Sequence, residues 1–243
     1  MDVSIIIPLF NESESLKELD DWISLSFKYK DLDYEVVYID DGSNDSSWDI
    51  IKSISQNNSN RKGISFIKNY GKSQALRVGF SEAKGKYIAT LDADLQDSPE
   101  EIPLMIKKLA ENDLDLISGW KKKRHDSFIT KRIPSYFFNL VARVFSGINL
   151  NDFNCGIKVY RKEVAKSISL YADMHRFIPI LAKNQGFNRI GEHVVKHQAR
   201  KYGKTKFGNE RFIRGFLDII TLWFTEKFGR RPMHFFGTIA VSY

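Results

Sequence analysis

Cysteine is nearly missing from this chain: among 243 residues only Cys155 carries a thiol. A lone cysteine forms no internal disulfide and supplies too few thiolates for a cysteine-based zinc site. It reads as a small buried hydrophobe rather than a nucleophile. Long apolar runs are missing as well: no stretch reaches the roughly 18 apolar residues of a membrane-crossing helix. A secretory leader is not expected, because Asp2 opens a non-basic start and the apolar run 3–10 breaks at Pro8. Repeats and low-complexity segments are absent. With 42% hydrophobic and 28% charged residues, the composition excludes disorder, collagen and coiled coil. The length fits one large domain or two small ones.

The formal net charge is +7, which alone points to nucleic acid or an anionic surface. The average conceals two unlike halves. Residues 1–120 hold 13 Lys and Arg against 22 Asp and Glu, a balance of −9. Residues 121–243 hold 24 against 8, a balance of +16. An acidic half with clustered aspartates and a basic half have different electrostatic tasks. Residues 234–243 are almost uncharged, largely apolar, and follow Arg230-Arg231. They read either as a final buried segment or, the expectation adopted, as the start of a membrane helix with a basic cytoplasmic flank.

Apolar runs and amphipathic stretches alternate through the first half. Strands are predicted at 3–8, 34–39, 64–67, 87–91 and 114–118. Helices are predicted at 14–27, around Trp48, Ile51 and Ile54, at 75–83, and after Ser98-Pro99-Glu100-Glu101. That last run has Ser as N-cap and Pro at the first helical position. Short strands alternating with helices imply an α/β fold with a mostly parallel sheet, and such sheets bind ligands beyond the C-terminal ends of their strands. Later helices are predicted at 133–145, with Pro134 near the start, and at 176–184. A long amphipathic helix at 210–228 has Phe212, Phe216, Ile219, Ile220 and Trp223 on its apolar side. Residues 196–208 read as a polar, basic loop.

Three strand-end loops carry unusual polar residues. Asp92-Ala93-Asp94-Leu95-Gln96 follows the fourth strand; two carboxylates one residue apart, with an amide oxygen nearby, suit a hard divalent cation whose other ligands are phosphate oxygens. Read plainly, the same run is a solvated acidic turn. Asp40-Asp41-Gly42-Ser43 follows the second strand. Adjacent like charges there cost repulsion unless donors meet them, and a nucleobase or ribose supplies donors. Pro8-Leu9-Phe10-Asn11-Glu12 follows the first strand and offers a stacking face and another acceptor. Together the loops form an acidic crevice suited to a nucleotide with a metal-bridged diphosphate.

These motifs, with Asn69-Tyr70-Gly71-Lys72 between them, resemble the GT-A-fold glycosyltransferases of family 2. The match is closer to the polyprenyl-phosphate branch, which includes dolichyl-phosphate mannosyltransferases and bacterial undecaprenyl-phosphate glucosyltransferases. Its further marks are Pro99-Glu100, Asp152 with Cys155-Gly156, His175-Arg176-Phe177-Ile178-Pro179, and Tyr202-Gly203-Lys204-Thr205-Lys206-Phe207. The resemblance spans residues 3–231. It implies a GT-A catalytic domain over 1–208, with a nucleotide and metal half (1–120) and an acceptor half (121–208). Residues 209–243 would form a juxtamembrane helix and the start of a membrane segment.

The resemblance also implies roles. Pro8, Phe10, Glu12, Asp40, Asp41, Lys72 and Ala93 would bind the nucleotide, with Lys204 and Lys206 on a loop over the donor phosphates. Asp92, Asp94 and Gln96 would hold Mg²⁺ or Mn²⁺. Lys131, Arg132 and Ser135 would bind the lipid phosphate, and His175 and Arg176 would lie beside the reacting groups; with Asp94 these form the catalytic set. Where the branch often has Ser-Arg after the fifth strand, this chain has Ser118-Gly119-Trp120-Lys121, which makes Lys121 and Arg124 candidate phosphate ligands. The implied reaction is inverting transfer of a hexose, glucose or mannose, from a nucleotide sugar of the UDP-glucose or GDP-mannose type to a polyprenyl phosphate. Its place would be an anionic membrane surface at the cytoplasmic face of the plasma membrane. An acceptor phosphate is already anionic and needs little general-base help. It needs positive charge to approach a donor that is itself anionic, and the basic half supplies it. A saccharide acceptor is the alternative. Nucleic acid is not expected, because the acidic loops repel a polyphosphate. Self-association through the helix at 210–228 stays open.

Overall fold

The computed structural model describes residues 1–122, 133–202, 210–228 and 232–241. In chain order the first half runs β1 (Val3–Leu9), α1 (Ser13–Phe27), β2 (Tyr34–Asp40), α2 (Ser47–Asn57), β3 (Arg61–Ser65), α3 (Lys72–Glu82), β4 (Tyr87–Thr90), α4 (Glu101–Glu111) and β5 (Leu116–Trp120). The second half runs α5 (Ile133–Ser146), β6 (Lys158–Arg161), α6 (Lys162–Ser167), a 3-10 turn (Met174–Phe177), α7 (Ile178–Asn184), β7 (Ile190–Val194), α8 (Glu210–Phe228) and α9 (Pro232–Val241).

The strands form one sheet in the order β3-β2-β1-β4-β6-β5-β7. All pairings are parallel except the two that β6 makes with β4 and β5. Side chains alternate across a strand, so the unbroken apolar runs of β1 and β2 serve two cores at once. Ile5, Ile7, Val36 and Tyr38 face one core, which α1 and α4 close with Leu16, Leu19, Ile23, Ile102, Met105 and Leu109. Ile6, Val37 and Ile39 face the other, which α3, α6 and α7 close with Leu76, Phe80, Val164 and Ile180. At roughly 25 cal/mol per Å² of buried apolar surface, these two layers dominate the stability.

Several expectations are met, and the departures have physical causes. β3 starts three residues earlier than predicted, because Arg61 turns inward to Asp20 (2.6 Å), while Ile67, expected in the strand, is 93% exposed. Ser98 does not cap α4 with its side chain; it closes a turn through its carbonyl, which accepts from the Glu101 N–H (3.2 Å). Within α8, Ile219 is buried but Ile220, expected on the same apolar side, is exposed. Strands β6 and β7 were not predicted: Lys-Val-Tyr-Arg and Ile-Gly-Glu-His-Val lack a run of alternating or continuous apolar residues. Among the described residues no helix is long and apolar enough to cross a membrane.

Candidate active site

Parallel pairing brings the ends of β1, β2 and β4 to one edge of the sheet, with Leu9 beside Asp40 and Ile6 beside Thr90. The loops after β1 and β2 are tied to each other. Ser43 Oγ accepts from the Asn11 N–H (2.8 Å), Asn11 Oδ1 accepts from the Asn44 N–H (2.8 Å), and Ser47 Oγ accepts from the Glu12 N–H (3.0 Å). Pro8 lies within β1 and is buried; Phe10 and Glu12 follow it at the edge, half-buried.

Asp40 and Asp41 are both buried, and the donors they require come first from the chain itself. Asp40 accepts from the Ser43 N–H and the Ser65 hydroxyl, each at 3.1 Å. Asp41 accepts from the Tyr70 N–H (2.7 Å) and the Gly71 N–H (2.9 Å), anchoring the loop that leads into α3. Burial raises the Asp41 carboxyl above its usual value, and the two N–H bonds only partly offset this. Gly42 is required where it stands: its φ is +73°, and a Cβ would lie 2.4 Å from the Lys68 carbonyl carbon.

Asp92 and Asp94 follow β4. Lys72, at the start of α3, forms an ion pair with Asp92 Oδ1. Desolvation alone would raise the Asp92 carboxyl, but the Lys72 ammonium more than offsets it and holds the group ionised well below the usual range. Gly156 lies against the same carboxylate, where a Cβ would stand 2.4 Å from Oδ2. Asp94 Oδ1 accepts from the Gln96 N–H (3.2 Å) across Leu95, whose φ of +59° is costly for a branched side chain and marks a constrained loop. Burial, and then the Asp92 charge, raise the Asp94 carboxyl. Ala93, between the two aspartates, is buried.

Arg200 is a site residue that sequence spacing does not reveal. Its Nη2 lies 2.5 Å from Asp94 Oδ2 and its Nη1 3.7 Å from Glu12 Oε1, so it bridges two of the three loops. It sits in a polar stretch without periodicity, and the only signal is its place in a basic run. The neighbouring Gln198 N–H donates to Gln96 O (2.8 Å), and the Gln96 side-chain amide reaches back to Gln198 O (3.4 Å).

His175 is brought to this edge. Its N–H donates to Ser73 Oγ (3.0 Å), and its Nδ1 lies 3.1 Å from the same hydroxyl, one residue from Lys72. Burial, with Lys72 and Arg176 nearby, lowers its pKa well below the ordinary 6.5, so the ring is neutral near pH 7. Arg176 is buried, and one guanidinium nitrogen lies 3.5 Å from where a Gly215 Cβ on α8 would stand. Lys121, considered as a phosphate ligand, is paired instead with buried Asp97 at 2.9 Å. Burial alone would lower the Lys121 pKa, but Asp97 overrides it and keeps the ammonium charged. Cys155 is buried, which pushes its thiol up and away from nucleophilic use. Lys131, Arg132, Lys204, Lys206 and Arg124 lie outside the described residues; Ser135 falls in α5, and its side chain lies outside them too.

Asp92, Asp94 and Gln96 suit a hard divalent cation. Their donors are oxygens, they share one short loop, and the side-chain-free face of Gly156 keeps the space beside Asp92 clear. Among the described residues no group of three His, Cys, Asp or Glu converges, so phosphate oxygens and water would complete the shell.

The fold agrees with comparisons to known proteins. The dodecaprenyl-phosphate galacturonate synthase of Rhizobium johnstonii is 34% identical over 244 aligned positions, covering all of this chain and 72% of that protein. An undecaprenyl-phosphate 4-deoxy-4-formamido-L-arabinose transferase of Pseudomonas syringae is 36% identical over 220, covering 90% of this chain and 64% of the relative. Among solved structures, glucosyl-3-phosphoglycerate synthase from Mycobacterium tuberculosis, in complex with Mn²⁺ and UDP, superposes with a TM-score of 0.69 at 16% identity, over 93% of this chain and 79% of that one. The shared architecture is the GT-A fold. The family model described as glycosyl transferase family 2 matches residues 4–169, and the chain belongs to that family of glycosyltransferases.

Proposed function

We propose that this chain transfers a sugar from a nucleotide sugar to a polyprenyl phosphate. The observation that carries the reading is the strand-end site: two carboxylates on the β4 loop, each matched to a cation from another part of the chain, beside the paired β1 and β2 loops. Polyprenyl-phosphate transferases among its relatives, alignable over nine-tenths or more of the chain, support the acceptor class.

In this reading Phe10, Glu12, Asp40 and Asp41 bind the nucleoside, and Lys72 and Arg200 meet the diphosphate. Asp92, Asp94 and Gln96 would hold Mg²⁺ or Mn²⁺, which neutralises charge on the departing diphosphate when bound. An acceptor phosphate oxygen forms a bond to the anomeric carbon as the bond to the diphosphate breaks, inverting that centre. The nucleophile brings its own negative charge, so no side chain removes a proton. Neutral His175 and Ser73 orient groups at the edge rather than transfer protons. Lys131, Arg132 and Ser135 are the proposed acceptor-phosphate ligands. Glucose and mannose are candidate sugars, and the relative at 34% identity adds galacturonate.

We place the reaction at the cytoplasmic face of the plasma membrane. Exposed apolar side chains on α5 (Val144, Phe145), α8 (Leu217, Ile220) and α9 (Met233, Phe236), within a half of the chain carrying +16, suit an anionic lipid surface. The testing experiment is a thermal-shift screen of UDP-glucose, UDP-galacturonate and GDP-mannose, with and without Mn²⁺. The donor at 100 times its Kd adds about 2.7 kcal/mol, and only with metal. No shift with any nucleotide sugar plus metal contradicts the proposal.

A further inference from the structure

The stretch after β7 is laid across the β4 loop like an additional strand. Asp97 and His197 form an isolated antiparallel bridge, and His197 Nδ1 lies 3.2 Å from Asp97 Oδ1. The Gln198 N–H donates to Gln96 O, and Lys201 clamps Glu18 at 2.7 Å. Arg200 lies between these ties, its guanidinium 2.5 Å from Asp94 Oδ2 and 3.7 Å from Glu12 Oε1. Asp94 and Arg200 are both largely shielded, with 13% and 25% of their side chains exposed. Their charges are therefore screened less than those of a surface pair.

We propose that Arg200 is the resident counter-ion of Asp94, that it competes with the divalent cation for that carboxylate, and that it thereby couples metal binding to diphosphate binding. This rests on the reading that Asp94 holds the metal. A guanidinium in contact with Oδ2 and a divalent cation on the same carboxylate repel each other. Metal alone gains Asp94 but leaves Arg200 beside a second positive charge, with the more distant Glu12 as its remaining carboxylate partner among the described residues. A diphosphate arriving with the metal gives the guanidinium a new anion, to which it can bond in bidentate fashion. Metal and diphosphate therefore favour each other's binding, and the coupling is reciprocal. Lys72 stands in a similar relation to Asp92, but it enters from the first turn of a helix, whereas Arg200 sits on a connecting segment.

The test measures Mn²⁺ binding by the loss of the free-ion paramagnetic resonance signal, alone and with UDP or GDP. In the wild type the matching nucleoside diphosphate tightens Mn²⁺. Arg200→Ala and Arg200→Gln bind Mn²⁺ alone about fivefold tighter, and the gain on adding nucleotide shrinks by about the same factor. Arg200→Lys, which keeps the charge, stays near wild type. A purely structural arginine predicts the opposite, equal or weaker Mn²⁺ binding in Arg200→Ala and Arg200→Gln, and that result overturns the proposal. Asp94→Asn separates the two layers. If it binds Mn²⁺ as the wild type does, the metal reading itself fails. If it loses Mn²⁺ while Arg200→Ala and Arg200→Gln change nothing, only the competition fails. Melting temperatures of all four variants confirm that folded protein is being compared.

Discussion

Gly156→Ala separates catalytic geometry from stability at one position. A Cβ at Gly156 would stand 2.4 Å from Asp92 Oδ2, 2.6 Å from its Cγ and 2.9 Å from Oδ1. Ordinary contact begins near 3.4 Å, so the carboxylate must retreat by about 1 Å. The obstacle is the end of one side chain, and the φ of Gly156 is outside the left-handed region, so the fold yields cheaply: about 1 kcal/mol, at the lower end for an added methyl. Function does not yield cheaply. A displacement of about 1 Å at a positioned group costs on the order of 100-fold, or about 2.7 kcal/mol in transition-state stabilisation. Gly119→Ala is the matched control. There a Cβ would lie 2.7 Å from both Cys155 Sγ and Ile157 Cγ2, and 3.1 Å from the Ile157 carbonyl, a clash with the core rather than with a carboxylate. The assays are urea unfolding and kcat/KM for both variants. The expected result is a large activity loss with a small stability loss for Gly156→Ala, and the reverse for Gly119→Ala. Equal activity losses at equal stability would refute the reasoning.

Three further outcomes follow from the same contacts. Asp41→Ala leaves the Tyr70 and Gly71 N–H groups without acceptors at 2.7 and 2.9 Å; urea unfolding should show a loss of about 2 kcal/mol, together with weaker nucleotide binding. Asp20→Ala strands the buried Arg61 guanidinium (2.6 Å) and the Tyr38 hydroxyl (2.7 Å), a loss of about 3–5 kcal/mol, yet the folded fraction should keep its kcat because the pair is remote from the β4 loop. Below the ordinary histidine value of 6.5 the unfolded chain binds a proton that buried, neutral His175 refuses, so the wild type loses stability as pH falls through that value. His175→Gln should lose less between pH 7.5 and 5.5 in paired urea titrations, and an unchanged difference would show that His175 ionises normally.

The legible parts of the molecule were those where local pattern and tertiary role agree. Continuous apolar runs made β1 and β2 visible, because strands buried on both faces need no polar alternation. Asp92-Ala93-Asp94 was visible as a strand-end acidic pair. What escaped was decided at a distance. β6 has four residues, and its first, Lys158, is buried with its ammonium donating to the Cys155 carbonyl, so nothing in its composition announces a central strand. β7 is an edge strand carrying Gly, Glu and His, held by pairing with β5. Arg200 carries no periodic signal, and its importance arises only because β7 leads the chain back over the β4 loop. Lys121 shows the converse: the family resemblance suggested a phosphate ligand there, but the fold brings buried Asp97 within 2.9 Å and occupies the charge internally.

The most direct measurement is transfer of label from a radioactive nucleotide sugar to undecaprenyl phosphate in anionic vesicles, by purified protein with Mn²⁺. The account predicts label in the organic phase for one donor. That label should be abolished by Asp94→Asn, and it should be acid-labile, as a sugar linked to a lipid through a single phosphate is. Label that stays in the aqueous phase for every nucleotide sugar, or transfer that survives Asp94→Asn undiminished, would contradict it.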